Sequence, residues 1–139
     1  MSTNYYILTK DKSIIEKYGL TYELTDSPDW GYKVHIAKRS HGWKPLFQGH
    51  KNINSIDDIY KLINESTVTI LDEYDRIQTV EEFEKEVIEW FKDDKEALSH
   101  IEEEEKDRFK NAGRSYWYLD SSKLWTDDKG YEFMSLDFS

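Results

Sequence analysis

Polar and apolar side chains alternate along YKVHIAKR, residues 32–39, and this period of two is typical of a β-strand. One predicted face carries Tyr32, Val34 and Ile36, and the other carries Lys33, His35, Ala37 and Arg39. The residues SHG then predict a tight turn, and WKPLFQG, residues 43–49, returns as a partner strand. Because Pro45 cannot donate a hydrogen bond to a neighbouring strand, we expect this second strand to lie at a sheet edge or to end early.

Apolar positions three to four residues apart predict helices in two other stretches. The first is KDKSIIEKYG, residues 10–19, which begins near Asp11 or Ser13 and ends at Gly19. The second is NSIDDIYKLINES, residues 54–66, with Ser55 as its N-cap. Its apolar face carries Ile56, Ile59, Tyr60, Leu62 and Ile63.

A third, longer helix is predicted to begin at Thr79, because Thr79 and Glu82 have the spacing of a capping box. Its apolar stripe consists of Val80, Phe83, Val87, Trp90 and Phe91. Past Asp93 and Asp94 the stripe thins to Ala97, Leu98, Ile101 and Phe109. The sequence therefore predicts that the helix breaks or kinks there, or that residues 92–114 project as an acidic helical extension.

Further strands are predicted at LTYELTD, TVTILDEY, SYWYLD and KGYEFMSLDF. Helices set among hairpin-linked strands predict an α+β fold, with a small antiparallel sheet and two or three helices, one of them long and acidic. A chain of 139 residues suits one domain that spans residues 1–139.

The composition favours a folded protein of the cytoplasm. Aromatic residues make up 15% of the chain, so large side chains fill much of the predicted core. The absence of cysteine excludes disulfides and thiolate metal sites. Neither a signal-peptide pattern nor an apolar run of roughly 20 residues is present, and we expect no membrane association.

Charge is unevenly distributed along the chain. Residues 1–54 hold 8 Lys and Arg against 5 Asp and Glu, whereas residues 55–139 hold 11 against 24. Direct binding of nucleic acid is disfavoured, because phosphates would be repelled by the acidic part. The acids are densest at residues 81–107, where 13 carboxylates face only four lysines. Such a run can imitate a phosphate backbone and bind a basic partner, or it can be an ordinary solvated helix face.

Two sets of binding residues follow from these patterns. The predicted partner-binding residues of the acidic segment are Glu89, Asp93, Asp94, Glu96, Glu102, Glu103, Glu104, Glu105 and Asp107. The predicted residues of a small anion or nucleotide site on the hairpin are His35, Lys38, Arg39, Ser40 and Trp43. Aromatics can stack on bases while Lys and Arg hold phosphate, although the same residues also fit a packed core with solvated cations.

Metal binding and catalysis are weaker hypotheses. His35, His41 and His50 fall close together, but their spacing matches no standard zinc pattern, so we expect no metal and no cofactor. Asp72, Glu73 and Asp75 end a predicted strand, and a carboxylate there near His35 could transfer protons. A turn after a strand explains these carboxylates equally well, and we predict that the protein is not an enzyme.

The segments VHIAKRSHGWKPLFQ, ILDEYDRI and GYEFMSLDFS resemble a family of small, mostly uncharacterised bacteriophage proteins. The motif residues in this chain are His35, Lys38, Ser40, Gly42, Trp43, Asp72, Glu73, Tyr74, Gly130, Tyr131 and Phe133. The resemblance covers residues 30–91 and 115–139, and the chain departs from the family pattern at Ala37, Arg39 and Asp75. It implies a phage origin, a compact α+β fold and a location in the host cytoplasm, but no established reaction.

The favoured hypothesis is a phage-encoded, anti-CRISPR-like inhibitor that binds a host defence or nucleic-acid-binding protein. It would act by covering a basic site with the acidic helical face. The alternatives are a protein that sequesters a small anionic nucleotide signal and, least favoured, an acid–base enzyme.

Overall fold

The computed structural model describes residues 2–24, 31–40, 45–90 and 124–135. The strands are β1 (Ser2–Thr9), β2 (Glu23–Leu24), β3 (Tyr32–Ser40), β4 (Leu46–Gln48), β5 (Val68–Asp72), β6 (Ile77–Gln78), β7 (Leu124–Thr126) and β8 (Glu132–Met134). The helices are α1 (Lys12–Tyr18), α2 (Ile56–Ile63) and α3 (Val80–Phe83), and α3 continues into a π-helical turn, Glu84–Ile88. The predicted α+β fold is confirmed. The predicted strand at residues 115–120 and the extension at residues 92–114 lie outside the described residues.

All eight strands belong to one sheet, in the order β6-β5-β1-β3-β4-β8-β7, with β2 paired to β3. Because β1 pairs along the whole length of β3, β2 and β4 share the other edge of β3. Strands β4 and β8 run parallel, so the prediction of a purely antiparallel sheet was wrong. A long connection separates these two strands in sequence, which allows the second to return in the same direction as the first.

Strand β4 is an interior strand, paired with β3 on one side and with β8 on the other. Of the two alternatives predicted from Pro45, the edge position was wrong and the early end of the strand is confirmed. Pro45 directly precedes the first strand residue, so its missing N–H interrupts no pairing between Leu46 and Gln48. The strand is nevertheless only three residues long.

The helix caps predicted from sequence are confirmed. Asp11 accepts a hydrogen bond from the N–H of Ser13, and Gly19 ends α1 in the left-handed conformation with a φ of 60°. Ser55 caps α2, and its side chain accepts from Asp58. Apolar faces of all three helices join one core against the same face of the sheet. The fully buried members include Ile7, Val34, Ile36, Phe47, Ile53, Ile59, Leu62, Phe83, Val87 and Phe133.

The capping box at Thr79 and Glu82 is present, but the helix that it begins is not regular. The N–H of Glu89 bonds the carbonyl of Glu84 five residues earlier, at 2.7 Å, which is the pattern of a π-helical turn. Val87 and Ile88, both within this turn, are buried in the core.

Candidate functional site

A β-bulge in β3 places His35 and Arg39 on opposite faces of the sheet. Tyr5 of β1 lies opposite Ala37 and the next residue, Tyr6, lies opposite His35, so β3 has one extra residue between these pairs. Neighbouring strand residues face opposite sides, whereas directly paired residues share a side. Arg39 therefore faces the helices with Ala37 and Tyr5, and His35 faces away with Tyr6. The prediction that His35, Ala37 and Arg39 share one face was wrong, because a strict period of two does not continue through a bulge.

The face away from the helices, which carries Tyr6, Lys33, His35 and Lys38, is called the outer face below. Arg39 is buried on the helix side, where its guanidinium carbon lies 5.8 Å from the centre of the Trp90 ring. Its Nη1 donates a hydrogen bond to the carbonyl oxygen of Ser40. Trp43 lies outside the described residues. The predicted anion site is therefore divided between two faces of the sheet.

His35 connects three strands through its ring. Its Nδ1 lies 2.9 Å from Oε1 of Gln48 on β4, and its Nε2 lies 3.0 Å from Oδ1 of Asn4 on β1. The amide nitrogen of Gln48 donates to the carbonyl of Met134 at 3.1 Å, which fixes the orientation of that amide and makes Nδ1 of His35 a donor. The tilted ring of Tyr6 lies 5.4 Å away. These contacts explain why a histidine is buried in this strand.

His50 bonds the backbone of β3 at His35, between the β3 residues that pair with β2 and those that pair with β4. Its Nε2 lies 3.0 Å from the carbonyl oxygen of His35, and its Nδ1 lies 3.1 Å from the N–H of Thr21. A neutral ring with its proton on Nε2 satisfies both groups, since it donates to the carbonyl and accepts from the N–H. Burial lowers the pKa of His50, and the hydrogen bond to the His35 carbonyl opposes that shift only in part.

A cavity of about 130 Å³ opens on the outer face beside these two histidines. Its walls include Tyr6, Tyr22, Glu23, Lys33, His35 and His50. The sequence prediction included His35 but missed the other wall residues. They come from four separated segments, and only the strand register brings them together.

A larger and more open groove of about 730 Å³ lies near the β6 side of the sheet. Its apolar lining is formed by Leu8, Leu71 and Ile77, and the side chain of Ile77 is among the most exposed apolar groups described. Lys10, Asp11 and Asp75 supply charges of both signs around it. The groove is therefore apolar at its centre, and the charged groups around it are of both signs.

The predicted catalytic carboxylates instead build a turn. Asp72 is buried and accepts hydrogen bonds from the N–H groups of Tyr74 and Arg76, while its Oδ2 lies 2.8 Å from Nε of Arg76. Burial alone would raise the pKa of Asp72, but these hydrogen bonds outweigh it and hold the pKa below its usual range. Asp72 pairs with Tyr5 on the helix side, whereas His35 is on the outer face, so the two do not form an acid–base pair. Glu73 accepts from the N–H of Asn4.

The Gly-Tyr-x-Phe motif near the end of the chain joins β8 to the core. The hydroxyl of Tyr131 donates to the carbonyl of Ile88 at 3.0 Å, at the end of the π-helical turn. Phe133 is fully buried, and its ring stacks between those of Phe47 and Trp125 at 5.4 and 5.8 Å. In this chain the motif therefore has a structural role.

Of the predicted partner-binding residues, only Glu89 lies in the described part of the chain, where it is half-buried. The others lie outside the described residues. Within residues 81–90, Glu82 belongs to the capping box and Glu84 accepts a hydrogen bond from the hydroxyl of Tyr60 at 2.9 Å. Glu81 and Glu86 are exposed.

Within residues 2–24, 31–40, 45–90 and 124–135, His, Asp and Glu side chains do not gather in any group of three or more that could hold a metal ion. None of the helices in these ranges is long and apolar enough to cross a membrane. No protein-family model, curated protein or solved structure matches the chain. The resemblance to bacteriophage proteins therefore stays a prediction.

Proposed function

We propose that this chain is a phage-encoded binding protein that inhibits a component of bacterial antiviral defence. It acts without catalysis, by covering a basic nucleic-acid site of its target with the acidic segment, residues 81–107. The observation that carries this proposal is the concentration of charge, because 13 carboxylates against four lysines occupy this one segment. A dense row of carboxylates competes with phosphates for the same Lys and Arg side chains.

The first part of the acidic segment, residues 81–90, is packed against the core of the fold. Phe83, Val87 and Ile88 are buried in the core, and Tyr131 and Tyr60 bond the π-helical turn from neighbouring elements. A binding surface that starts from an ordered element loses less conformational freedom on association than a loose one. This supports residues 81–90 as the fixed end of the proposed surface.

The test is a pull-down from lysates of bacteria that carry different defence systems, at low and moderate salt. We expect one stoichiometric nucleic-acid-binding protein, retained less as salt rises because the contact is electrostatic. The Glu102→Lys, Glu103→Lys double variant should lose that protein. The matched control is Glu16→Lys, Asp128→Lys, which changes the net charge equally at two exposed positions elsewhere. Equal retention by both variants would contradict the proposal.

A second candidate function is the binding of a small anionic nucleotide. One observation favours it: the cavity on the outer face combines aromatic rings with the Lys33 ammonium. This location differs from the Lys38, Arg39 and Trp43 site expected from sequence. An acid–base enzyme is not favoured, because His35 and Asp72 lie on opposite faces.

A further inference from the structure

The outer-face cavity is lined by rings from two strands, Tyr6 of β1 and His35 of β3, and from two segments outside the strands, Tyr22 and His50. Tyr6 and His35 are neighbours across β1 and β3, with ring centres 5.4 Å apart. Tyr22, 45% exposed, also lines the cavity, and its ring makes an edge-to-face contact of 4.7 Å with the ring of Tyr32. Base rings stack well on such side chains, whichever base is present.

His35 and His50 line the cavity with the carbon atoms of their rings, because their ring nitrogens bond other groups. Both ring nitrogens of His35 contact the side-chain amides of Gln48 and Asn4. Both ring nitrogens of His50 contact backbone groups, the carbonyl of His35 and the N–H of Thr21. A metal ion would have to break these hydrogen bonds, so an organic ring fits the cavity better than a cation does.

The volume limits the ligand to one ring. A cavity of about 150 Å³ holds benzene, and this one measures about 130 Å³. A six-membered pyrimidine therefore fits within it, whereas the two fused rings of a purine would extend out of its open side. The sugar and phosphate would remain outside, where Thr21, Tyr22 and Glu23 are exposed.

Two opposite charges stand at the entrance. Lys33 and Glu23 are direct partners across β3 and β2. The Lys33 ammonium lies 4.3 Å from the centre of the Tyr6 ring, which holds it beside the aromatic wall. An ammonium group binds phosphate, and a carboxylate accepts a hydrogen bond from the exocyclic amino group of cytosine, which uracil lacks.

We propose that the outer-face cavity binds a cytidine nucleotide, with the base against Tyr6, Tyr22 and His35 and the phosphate at Lys33. This proposal rests on the second candidate function, the binding of a small anionic nucleotide. It adds the location of the site and the identity of the base. Cytidine monophosphate is the smallest probe with both required groups. Uridine monophosphate tests the role of Glu23, and adenosine monophosphate tests the size limit.

The experiment is a titration of the ¹⁵N-labelled protein with each nucleotide, followed by amide chemical shifts. We expect saturable shifts with cytidine monophosphate at residues 21–23, 33 and 48, binding at least tenfold weaker for uridine monophosphate, and no saturation with adenosine monophosphate. Lys33→Gln and Tyr22→Ala should each weaken binding at least tenfold. Lys38→Gln is the matched control, a cation on the same strand and the same face, and should bind as the parent protein does.

Three results would overturn the inference. They differ in whether nucleotide binding itself, the location of the site or the size limit is contradicted. If none of the nucleotides gives a saturable shift, the second candidate function fails with it. If binding occurs but weakens equally in Lys33→Gln and Lys38→Gln, nucleotide binding stands and this site is wrong. If the adenine nucleotide binds as tightly as the cytidine one, the size argument is wrong. Far-UV circular dichroism of each variant establishes that the fold is kept.

Discussion

Nε2 of His50 donates a hydrogen bond to the carbonyl oxygen of His35, 3.0 Å away, at a place where none of the described strands pairs with that edge of β3. The same ring accepts a hydrogen bond from the N–H of Thr21. One side chain therefore satisfies two backbone groups that a neighbouring strand would otherwise pair. The ring can fill both roles only while it is neutral, because an imidazolium has no acceptor for Thr21. This relationship links the stability of the sheet to pH.

We expect the free energy of unfolding to fall as the pH drops below about 6.5, the ordinary pKa of histidine. The pKa of His50 is lowered in the folded state, so the unfolded chain takes up the proton first. Stability from His50 is thus full above that pH and is lost as the pH falls through the folded-state pKa. Each unit of pKa lowering corresponds to about 1.4 kcal/mol.

Urea unfolding between about pH 7.5 and pH 5 measures this effect in the parent protein and in His50→Gln. The difference between their two pH profiles reports the contribution of His50 together with its electrostatic coupling to His35. The variant should be less stable at the upper pH and should lose less stability on acidification. Parallel profiles would show that His50 does not couple folding to pH.

Asp72→Asn should destabilise the fold by about 1.5 to 3 kcal/mol, since the amide cannot replace a carboxylate that accepts from Nε of Arg76. Asp75→Asn is the matched control in the same turn. Asp75 is exposed and has a φ of 62°, a conformation that Asn tolerates well, so its replacement should change stability by less than about 0.5 kcal/mol. Denaturant unfolding compares the two variants, and equal losses would contradict the role given to Asp72.

The features that sequence predicted correctly are local ones. The caps at Asp11, Ser55 and Thr79 depend on residues two or three positions away, so their geometry follows from the chain itself. The apolar face of α2 likewise follows from a regular period. Such interactions need no knowledge of what the element packs against.

The features that sequence missed depend on distant partners. Strand β1, which lies between β3 and β5, was not predicted, because Tyr5 to Leu8 form an unbroken apolar run without alternation. The bulge opposite Tyr5 and Tyr6 and the parallel pairing of β4 with β8 are properties of two strands together. The cavity was missed for the same reason, since Tyr6, Tyr22 and Lys33 meet only once the register is known.

Gly49→Ala should destabilise the protein by about 1 to 3 kcal/mol through overpacking. A Cβ at this position would lie 2.3 Å from Cη2 of Trp125, whose ring is fixed by stacking on Phe133 and by its N–H bond to Asn54. The loss should shrink when Gly49→Ala is made in a Trp125→Phe background, where that ring atom is absent. Thermal unfolding of the four proteins of this double-mutant cycle measures the coupling, and additive losses would mean that the clash is not the cause.

Tyr131→Phe should cost about 1 to 2 kcal/mol, because it removes the hydrogen bond to the Ile88 carbonyl and leaves that carbonyl without its tyrosine donor. The effect should be greatest in the π-helical turn, so amide hydrogen exchange at Glu89 should become faster. Tyr22→Phe is the control, since Tyr22 is largely exposed and is remote in sequence from this turn. If both variants exchange at the parent rate at Glu89, Tyr131 does not stabilise the turn. The fixed end proposed for the acidic segment would then keep only the hydrogen bond from Tyr60 and its buried side chains.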